Sequence, residues 1–266
     1  MTLPIIHLCE VLINREVKPG FYELRLHAPM LAKSAAPGQF AMLQCAAGKS
    51  TDPLLRRPLS FSNVCKKTGS IVFLYQVKGK GTHLLSRISE GDYLDVMGPL
   101  GTGFKLPKPG TPIAVIGCGI GVAPLIYMAD YGRKHGHDVY AFIAARSKDS
   151  LLGADTLTAS CACVYTATDD GSHGVKGNIT DLLDEAAGTL ALCKTTYICG
   201  PWKAMAVSAE KCLGLGLACQ VSLESIMACG IGACLGCTCK TTRHIHYTRV
   251  CTEGPVFQAE EVLFDA

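Results

Sequence analysis

Charged side chains are scarce in this chain, and neither sign dominates. Asp, Glu, Lys and Arg make up 18% of the 266 residues, and the formal net charge at pH 7 is +3. Blocks of like charge are lacking, so the sequence offers no basic face suited to nucleic acid. Hydrophobic residues make up 48%, which excludes wholesale disorder and predicts one large domain or two of ordinary size.

A long unbroken apolar run is also lacking. The most apolar stretch, TPIAVIGCGIGVAPLIYMA (residues 111–129), is interrupted by prolines and glycines in its first half. Such a pattern favours a buried strand, a glycine turn and a helix over a membrane span. The first twenty residues lack the basic start, the continuous apolar segment and the cleavage site of a signal peptide. We therefore expect a cytoplasmic protein with no membrane segment.

Cysteine, in contrast, is abundant, with fifteen residues. Ten of them are scattered through apolar surroundings, where a small buried hydrophobic residue is the simplest interpretation. The other five lie between residues 229 and 251. Since cytosolic thiols are kept reduced, such a cluster favours metal binding over disulfides.

Three regions with different patterns follow one another along the chain. Residues 1–107 alternate short strand patterns with turns and contain one short helical pattern (THLLSRI), which predicts a small antiparallel β-barrel. Residues 108–222 alternate strands with helices, which predicts a parallel sheet covered by helices on both faces. The regular pattern ends there, and residues 223–266 form a third region around the cysteines.

A glycine-rich turn follows the first strand pattern of the second region. In VIGCGIGVAPL, the glycines 117, 119 and 121 stand between a strand and a helix. Glycines at such a turn allow backbone N–H groups to approach a pyrophosphate, whose charge the helix N-terminus favours. The spacing differs from the common G-x-G-x-x-G, and a purely structural turn explains it equally well.

A second turn, in YICGPWKAM, also follows a strand. Open parallel sheets bind ligands along the carboxyl edge of their strands, so we expect Cys199, Gly200 and Pro201 to face the same crevice. The alternative is that CGP only ends a strand. The two turns together strengthen the prediction of a nucleotide site.

The barrel region contains two segments suited to phosphate. Arg57 and Ser60 in LLRRPLSFS offer a fork of donors and a hydroxyl, around a proline that restrains the backbone. Gly81 and Thr82 in KGKGTHLLS precede the short helical pattern and make a second turn that favours anions. Paired arginines are more often a solvated surface, which is the alternative here.

The spacing of the clustered cysteines selects one kind of centre. Cys229, Cys234, Cys237 and Cys251 read C-x4-C-x2-C, then thirteen residues, then C. This is the plant-type two-iron arrangement, whereas zinc ribbons show two separated C-x2-C pairs and the four-iron run is C-x2-C-x2-C-x3-C. The fifth thiol, Cys239, is predicted to be a bystander.

Taken in order, these motifs resemble the electron-transfer subunits of class 1B dihydroorotate dehydrogenases, within the ferredoxin–NADP reductase superfamily. The resemblance spans essentially the whole chain. The motifs that carry it are RRPLSFS, KGKGT, GPLGTGF, GCGIGVAPL, CGPWKAM, LESIMACGIGACLGC and VCTEGPVF. The last two are the most specific, since few other reductases carry a cluster at the C-terminus.

The resemblance implies an FAD-binding barrel domain (1–107), an NAD-binding α/β domain (108–222) and a [2Fe–2S] module (223–266). It places the cofactor contacts and the cluster ligands but implies no catalytic acid or base. The implied FAD contacts are Arg57, Pro58, Leu59, Ser60, Leu74, Tyr75, Gln76, Gly81 and Thr82, with Arg57, Gly81 and Thr82 at the pyrophosphate. The implied NAD contacts are Gly117, Gly119, Gly121, Cys199, Gly200 and Pro201, and the implied cluster ligands are Cys229, Cys234, Cys237 and Cys251.

The resemblance also implies a function in pyrimidine biosynthesis. In such a system electrons from dihydroorotate reach FMN in a separate catalytic subunit, pass singly through the cluster to FAD, and leave as a hydride to NAD. The expected complex has two copies of each chain. Two departures from the family pattern are Cys118, which stands in the nucleotide turn where a glycine is common, and the extra thiol of Cys239.

Two other functions remain open on the sequence. One is a related reductase subunit that serves a hydrogenase or a ferredoxin:NADP partner. The other is a non-enzymatic module whose cysteines hold zinc. The nucleotide is also open, because Arg146, Ser147 and Lys148 offer contacts for a 2′-phosphate, although the resemblance favours NAD.

Overall fold

The structure is a computed structural model that describes residues 5–45, 52–242 and 246–264. The strands are β1 (Ile5–Lys18), β2 (Phe21–His27), β3 (Phe40–Leu43), β4 (Arg57–Cys65), β5 (Ser70–Gln76), β6 (Tyr93–Leu100), β7 (Ile113–Cys118), β8 (Val139–Ala145), β9 (Cys163–Thr168), β10 (Val175–Lys176), β11 (Thr195–Cys199), β12 (Ala218–Ser222), β13 (Thr238–Lys240), β14 (Tyr247–Arg249) and β15 (Val256–Gln258). The helices are α1 (Pro29–Ser34), α2 (Lys80–Leu85), α3 (Val122–Lys134), α4 (Ala154–Thr158), α5 (Ile179–Glu185), α6 (Ala187–Leu190) and α7 (Trp202–Gly214).

The first region folds as a closed antiparallel barrel in the order β1-β2-β5-β4-β3-β6. Alternate residues of each strand point inward, so that Leu24 and Leu26 of β2 meet Phe61 of β4 and Phe73 of β5 in a fully buried core. The predicted barrel is therefore confirmed. The short helix α1, which begins with a proline in its first turn, was not predicted.

The second region is a sheet in the order β10-β9-β8-β7-β11-β12-β15, parallel except for its last strand. Along β7, Ile113 and Val115 pack with α3 on one face, while Ala114 and Ile116 pack with α5 and α7 on the other. The predicted parallel sheet with helices on both faces is confirmed. Because β8 and β11 flank β7 on its two sides, the chain reverses its direction of winding there, which is where such sheets bind ligands.

The third region contacts both of the other regions. Its hairpin β13–β14 precedes β15, which pairs antiparallel with β12 and so extends the sheet. On its other side the cysteine loop packs on the barrel, since a Cβ at Gly230 would lie 2.7 Å from Cγ of Met42. The division into domains at residues 107 and 222 stays a prediction. The strand β15 belongs to the third region in sequence but joins the sheet of the second region.

The apolar stretch of residues 111–129 forms β7, a glycine turn and the first part of α3. The helix α3 has thirteen residues. Within residues 5–45, 52–242 and 246–264, no helix is both long enough and apolar enough to cross a membrane.

Candidate flavin, nucleotide and cluster sites

A cleft between the barrel and the other two regions collects most of the predicted flavin contacts. It has a volume of about 230 Å³. One wall comes from β4 and β5, and the opposite wall from the start of α3 and the segment before the cysteines. The lining residues include Pro58, Leu59, Ser60, Leu74, Tyr75, Gln76, Lys78, Ile120, Ala123, Pro124, Leu223, Glu224, Ser225 and Met227.

The cleft has apolar walls and polar groups at its edges, as small-molecule sites usually do. Leu59 and Leu74 supply apolar surface, and Ser60 and Gln76 supply polar atoms. Tyr75 differs from its neighbours because its ring points into the barrel, where its hydroxyl donates to Oδ1 of Asn14 at 3.1 Å. Tyr75 thus borders the cleft while its ring belongs to the barrel core.

The predicted phosphate contacts also lie together. The guanidinium of Arg57 covers Gly81, where a Cβ would lie 2.6 Å from Nε of Arg57, so only glycine leaves this space open. The hydroxyl of Thr82 accepts the N–H groups of Lys78 and Gly79 at 3.0 and 3.2 Å and stabilises the turn. Arg57 and the turn at Gly81 and Thr82 thus lie side by side, although none of the three is among the residues that line the cleft.

The two neighbouring arginines have different environments. Arg56 forms an ion pair with Asp95 at 2.9 Å and also bonds the carbonyl oxygen of that residue at 3.2 Å. Arg57 instead bends back so that its Nη1 donates to the carbonyl oxygen of Leu55 at 2.6 Å. Arg56 therefore braces the barrel wall, whereas Arg57 contacts Gly81 and the backbone of its own segment.

A second cleft lies at the point where the sheet reverses its winding. It has a volume of about 580 Å³ and shares Gln76, Lys78, Ile120 and Glu224 with the flavin cleft. Its other lining residues include Phe21, Cys118, Gly119, Gly121, Ala144, Ala145, Arg146, Ser150, Asp169, Asn178, Gly200, Pro201 and Ala204. The two predicted glycine turns therefore line one cleft. This agrees with their predicted position at the carboxyl edge of the same sheet.

The two turns interlock through their glycines. A Cβ at Gly121 would lie 2.5 Å from the Cα of Gly200, and a Cβ at Gly200 would lie 2.9 Å from the Cβ of Cys118. Gly119 differs, because it has φ of +55° and because, its chain neighbours aside, no atom of the described residues lies within 4 Å of a Cβ built on it. Gly119 thus presents bare backbone to open space, as a turn that receives a pyrophosphate requires.

Two of the predicted nucleotide contacts lie behind the cleft and do not line it. Gly117 is the β7 partner of Cys199, and a Cβ on it would lie 3.1 Å from a methyl carbon of Leu125 in α3. Cys199 is buried, and burial raises the pKa of its thiol well above the usual range. Both residues lie in the paired strands β7 and β11, which position the two turns.

The three residues predicted as contacts for a 2′-phosphate do not act together. Arg146 lines the nucleotide cleft. The N–H of Ser147 bonds Oγ of Ser150 at 3.0 Å, and the N–H of Lys148 bonds Oγ of Ser172 at 2.8 Å. These bonds form a short turn. Of the three residues, Arg146 alone borders the nucleotide cleft.

Glu224 was missed on the sequence and borders both clefts. Its side chain is open to the water of the clefts, yet protein surrounds it on several sides. This burial raises the pKa of the carboxyl, and the charge of Lys78 opposes the shift. The residue lies just ahead of the cysteine motif, and no local pattern distinguishes it from an ordinary surface glutamate.

The predicted cluster ligands form two pairs of thiols. In the first pair, the N–H of Cys234 donates to Sγ of Cys229 at 3.4 Å, and the N–H of Ile231 donates to the same sulfur at 3.5 Å. In the second, the N–H of Cys251 donates to Sγ of Cys237 at 3.4 Å. Within the described residues, no three His, Cys, Asp or Glu side chains converge on a single-ion site.

The surroundings of Cys229 and Cys251 shift the pKa values of their thiols in opposite directions. Burial raises the pKa of Cys229, but the N–H groups of Ile231 and Cys234 outweigh it and bring the pKa down to about 6. Burial, followed by the Cys237 thiol, raises the pKa of Cys251 to about 12. Iron binds thiolates, and backbone N–H groups that point at sulfur stabilise them, so the donor set fits an iron–sulfur cluster.

Cys239 lies in β13, opposite Thr248 of β14. It borders a groove with Trp202 and Leu263 that none of the four predicted ligands lines. This position agrees with the prediction that it is a bystander, and the ligand assignment itself stays a prediction.

Comparison with known proteins identifies the family. Residues 224–263 match the model of the iron–sulfur cluster binding domain of dihydroorotate dehydrogenase B. The electron transfer subunit of dihydroorotate dehydrogenase B (NAD(+)) from Desulforamulus reducens is 39% identical over 96% of this chain and 97% of its own length. The chain belongs to the family of these electron transfer subunits. The member from Bacillus caldolyticus is 38% identical over 94% of this chain and 95% of its own length.

Solved structures show the same architecture. A chain from the NADH-dependent reduced ferredoxin–NADP oxidoreductase, studied for flavin-based electron bifurcation, superposes with a TM-score of 0.85 and 29% identity over 97% of this chain and 91% of its own. A ferredoxin NADP+ reductase from Neisseria gonorrhoeae with bound FAD and NADP has a TM-score of 0.65 and 18% identity, covering 79% and 92% of the two chains. The second likeness shows the fold alone.

These comparisons confirm the family resemblance, the fold and the classification as an electron-transferring oxidoreductase subunit. Membership of an electron transfer subunit family implies a catalytic partner subunit. The residue assignments at the three sites stay predictions.

Proposed function

We propose that this chain carries electrons between an FMN-containing dihydroorotate dehydrogenase subunit and NAD, through a [2Fe–2S] cluster and FAD. The observation that carries the proposal is that three sites adjoin. Residues 223–225 and Met227 line the flavin cleft, and Cys229 follows two residues later. Ile120 of the nucleotide turn borders both the flavin and the nucleotide clefts.

The barrel supplies the FAD site in this proposal. Pro58, Leu59 and Ser60 of β4 and Leu74 and Gln76 of β5 line the cleft and would contact the flavin. Arg57 and the backbone of Gly81 and Thr82 would bind the pyrophosphate. A guanidinium beside a glycine turn suits this group, because it offers several donors and leaves room for close approach.

The glycine turns supply the NAD site. Gly119 and Gly121 receive the pyrophosphate at the start of α3, where the helix N-terminus favours negative charge. Gly200 and Pro201 hold the nicotinamide against the flavin cleft, while Gly117 and Cys199 support the two turns from below. FAD, when bound, exchanges single electrons on the cluster side and a hydride on the nucleotide side. NAD is proposed over NADP, since Arg146 is the only one of the three predicted 2′-phosphate contacts that borders the described cleft.

The cysteine module supplies the cluster site and the docking face. Cys229, Cys234, Cys237 and Cys251 would hold the irons through their thiolates. Ile231 and Leu235 stand between the ligands with 47% and 59% of their surface exposed. We assign this apolar surface to contact with the catalytic subunit, in a complex with two copies of each chain. The proposed division is a flavin domain (1–107), a nucleotide domain (108–222) and a cluster module (223–266).

A second candidate is a subunit that serves a ferredoxin:NADP partner. The observation in its favour is the likeness to the NADH-dependent reduced ferredoxin–NADP oxidoreductase chain at 29% identity. The dihydroorotate dehydrogenase B relatives are more similar, at 38 and 39% identity over a comparable length. A zinc module is disfavoured because the matched family model describes an iron–sulfur domain.

The cofactor content of the purified full chain tests the proposal. We expect flavin and iron–sulfur absorption, one FAD and two irons per chain, and a paramagnetic signal on reduction with NADH. NADH should also reduce an artificial acceptor. A colourless protein with stoichiometric zinc would overturn the proposal, and a chain that binds FAD but no iron would overturn the cluster assignment.

A further inference from the structure

The side chain of Arg249 connects the two halves of the predicted cluster site. Arg249 ends β14, two residues before Cys251. Its Nη1 donates to the carbonyl oxygen of Gly232 at 3.2 Å, in the middle of the loop between Cys229 and Cys234. The guanidinium therefore ties the turn that carries one predicted ligand to the loop that carries two others.

Glu253 fixes the direction of this guanidinium. Its Oε2 accepts from the backbone N of Arg249 at 2.9 Å and from Nε at 3.0 Å, and its Oε1 accepts from Nη2. The hydroxyl of Thr252 also donates to Oε2 at 3.0 Å. Arg249 is thus bound at both edges of its planar group, and few rotamers remain open to it.

The contact between the halves is tight at Gly232. This residue has φ of +79°, and a Cβ on it would lie 2.9 Å from Cγ2 of Thr252 and 3.1 Å from Nη1 of Arg249. Gly232 therefore packs against the turn that carries Cys251, while its carbonyl oxygen accepts from Arg249.

Arg249 also brings a positive charge close to the predicted cluster site. It stands two residues before Cys251, and its Nη1 lies 3.2 Å from the carbonyl oxygen of Gly232 in the cysteine loop. A cation beside the thiolates favours the state with one more electron, and an anion disfavours it. Hydrogen bonds to the sulfurs and net charge are among the factors that set the potential of such clusters.

We propose that Arg249 is a positioning residue of the cluster site, held by Glu253. It keeps the Cys229–Cys234 loop against the Cys251 turn. Its charge raises the reduction potential of the cluster, and the charge of Glu253 lowers it. This inference rests on the proposed function, because it requires that a cluster be bound.

The test is an anaerobic redox titration of the full chain, with FAD and cluster loaded, followed by the paramagnetic signal of the reduced cluster. Arg249→Gln keeps a donor for Gly232 but removes the charge. We expect the ratio of reduced to oxidised cluster at a fixed potential to fall about tenfold, or about 59 mV for a one-electron couple. Glu253→Gln should shift the ratio in the opposite direction.

A second readout follows the release of iron to a chelator. We expect Arg249→Gln, Arg249→Lys and Glu253→Gln each to lose iron about tenfold faster, because outer hydrogen-bond partners hold the ligands in place. Arg249→Lys keeps the charge, so its potential should stay close to that of the wild type. The matched control is Arg15→Gln, which breaks an exposed pair with Glu23 on the barrel, 3.6 Å long, and should change neither readout.

Shifts of opposite sign for Arg249→Gln and Glu253→Gln, with faster iron loss in both, would support the inference. Shifts of the same sign, or an unchanged potential, would overturn it while the proposed function stands. If Arg249→Gln does not retain a cluster, the other two variants are sufficient. A raised reduction potential in Glu253→Gln and an unchanged one in Arg249→Lys would support the inference, and any other combination would overturn it. A wild-type chain that binds no cluster would overturn both proposals.

Discussion

The tetrapeptide Cys-Gly-Ile-Gly occurs twice in this chain, at 118–121 and at 229–232. The first copy continues β7 into a short 3-10 turn and then α3, and only its first glycine has a positive φ. In the second copy both glycines have positive φ, of +71° and +79°. The same four residues thus make a strand-to-helix turn in one place and a wrapped loop in the other.

The two cysteines of these copies differ as strongly as the backbones. Burial, helped by the charge of Asp169, raises the pKa of the Cys118 thiol to about 12. At Cys229 the backbone N–H groups outweigh burial, and the pKa falls to about 6. The same four residues thus give thiols with opposite pKa shifts, because the loop at 229–232 directs N–H groups at the sulfur of Cys229 whereas burial dominates at Cys118.

The largest expected effect separates ligands from bystanders. Cys251→Ser should abolish the paramagnetic signal of the reduced cluster, because it removes one of four thiolates. Cys229→Ser should do the same, whereas Cys118→Ser and Cys239→Ser should keep the signal. A lost signal in Cys239→Ser together with a retained one in Cys251→Ser would move the fourth ligand.

The next effect concerns a glycine whose missing Cβ makes room for a side chain. Arg57 covers Gly81, and Arg57→Ala should weaken FAD binding by about 1.5–3 kcal/mol, because a charge-assisted phosphate contact is lost. Flavin content after gel filtration and a titration with FAD measure it. The control Arg56→Ala breaks the pair with Asp95 and should leave FAD affinity unchanged. Full occupancy and unchanged affinity in Arg57→Ala would contradict the flavin assignment.

A smaller effect is expected in the first copy of the tetrapeptide. Gly119→Val places a branched side chain in the space assigned to the pyrophosphate and should raise the KM for NADH about tenfold, or about 1.4 kcal/mol, with FAD retained. The matched control is Gly136→Val at the far end of α3. It has φ of +81° and equally open surroundings, so it carries the same backbone strain. An unchanged KM in Gly119→Val, or an equal rise in both, would count against the site.

The smallest effect tests the inert thiol. The thiolate is the reactive form of cysteine. A thiol with a pKa of about 12 is almost wholly protonated at pH 7, and only about one molecule in a thousand is ionised at pH 9. Iodoacetamide should therefore spare Cys118 across this range. It should modify Cys65, which is exposed and whose pKa is lowered by the Thr68 hydroxyl. Peptide mapping that finds both thiols modified at equal rates at pH 7 would contradict the assignment.

The sequence predicted the architecture because its hydrophobic periods are regular. The strand of β7 and the helix α3 coincide with the patterns that predicted them, and the helical pattern THLLSRI corresponds to α2, which begins and ends a few residues earlier. Two short elements were not predicted, α1 with six residues and β15 with three. The helix α2 also has six residues, but its apolar pattern continues to Ile88 and so could be recognised.

At the sites, residue types were more predictable than their partners. The sequence predicted the glycines of both turns. It did not predict the contact between Gly121 and Gly200, because β7 and β11 are neighbours in the sheet but far apart along the chain. Glu224 escaped because its role depends on two clefts that meet in space. The inward ring of Tyr75 follows from strand alternation and was within reach of the sequence.

The central claim is that electrons pass between a partner's flavin and NAD through this chain. The most direct test is the anaerobic reduction of NAD by dihydroorotate, measured with the isolated chain and with its complex with the cognate FMN-containing dihydroorotate dehydrogenase subunit. We expect the complex to reduce NAD and the isolated chain to do no more than oxidise NADH with artificial acceptors. Dihydroorotate oxidation by the isolated chain, or failure of the two chains to associate, would contradict the account.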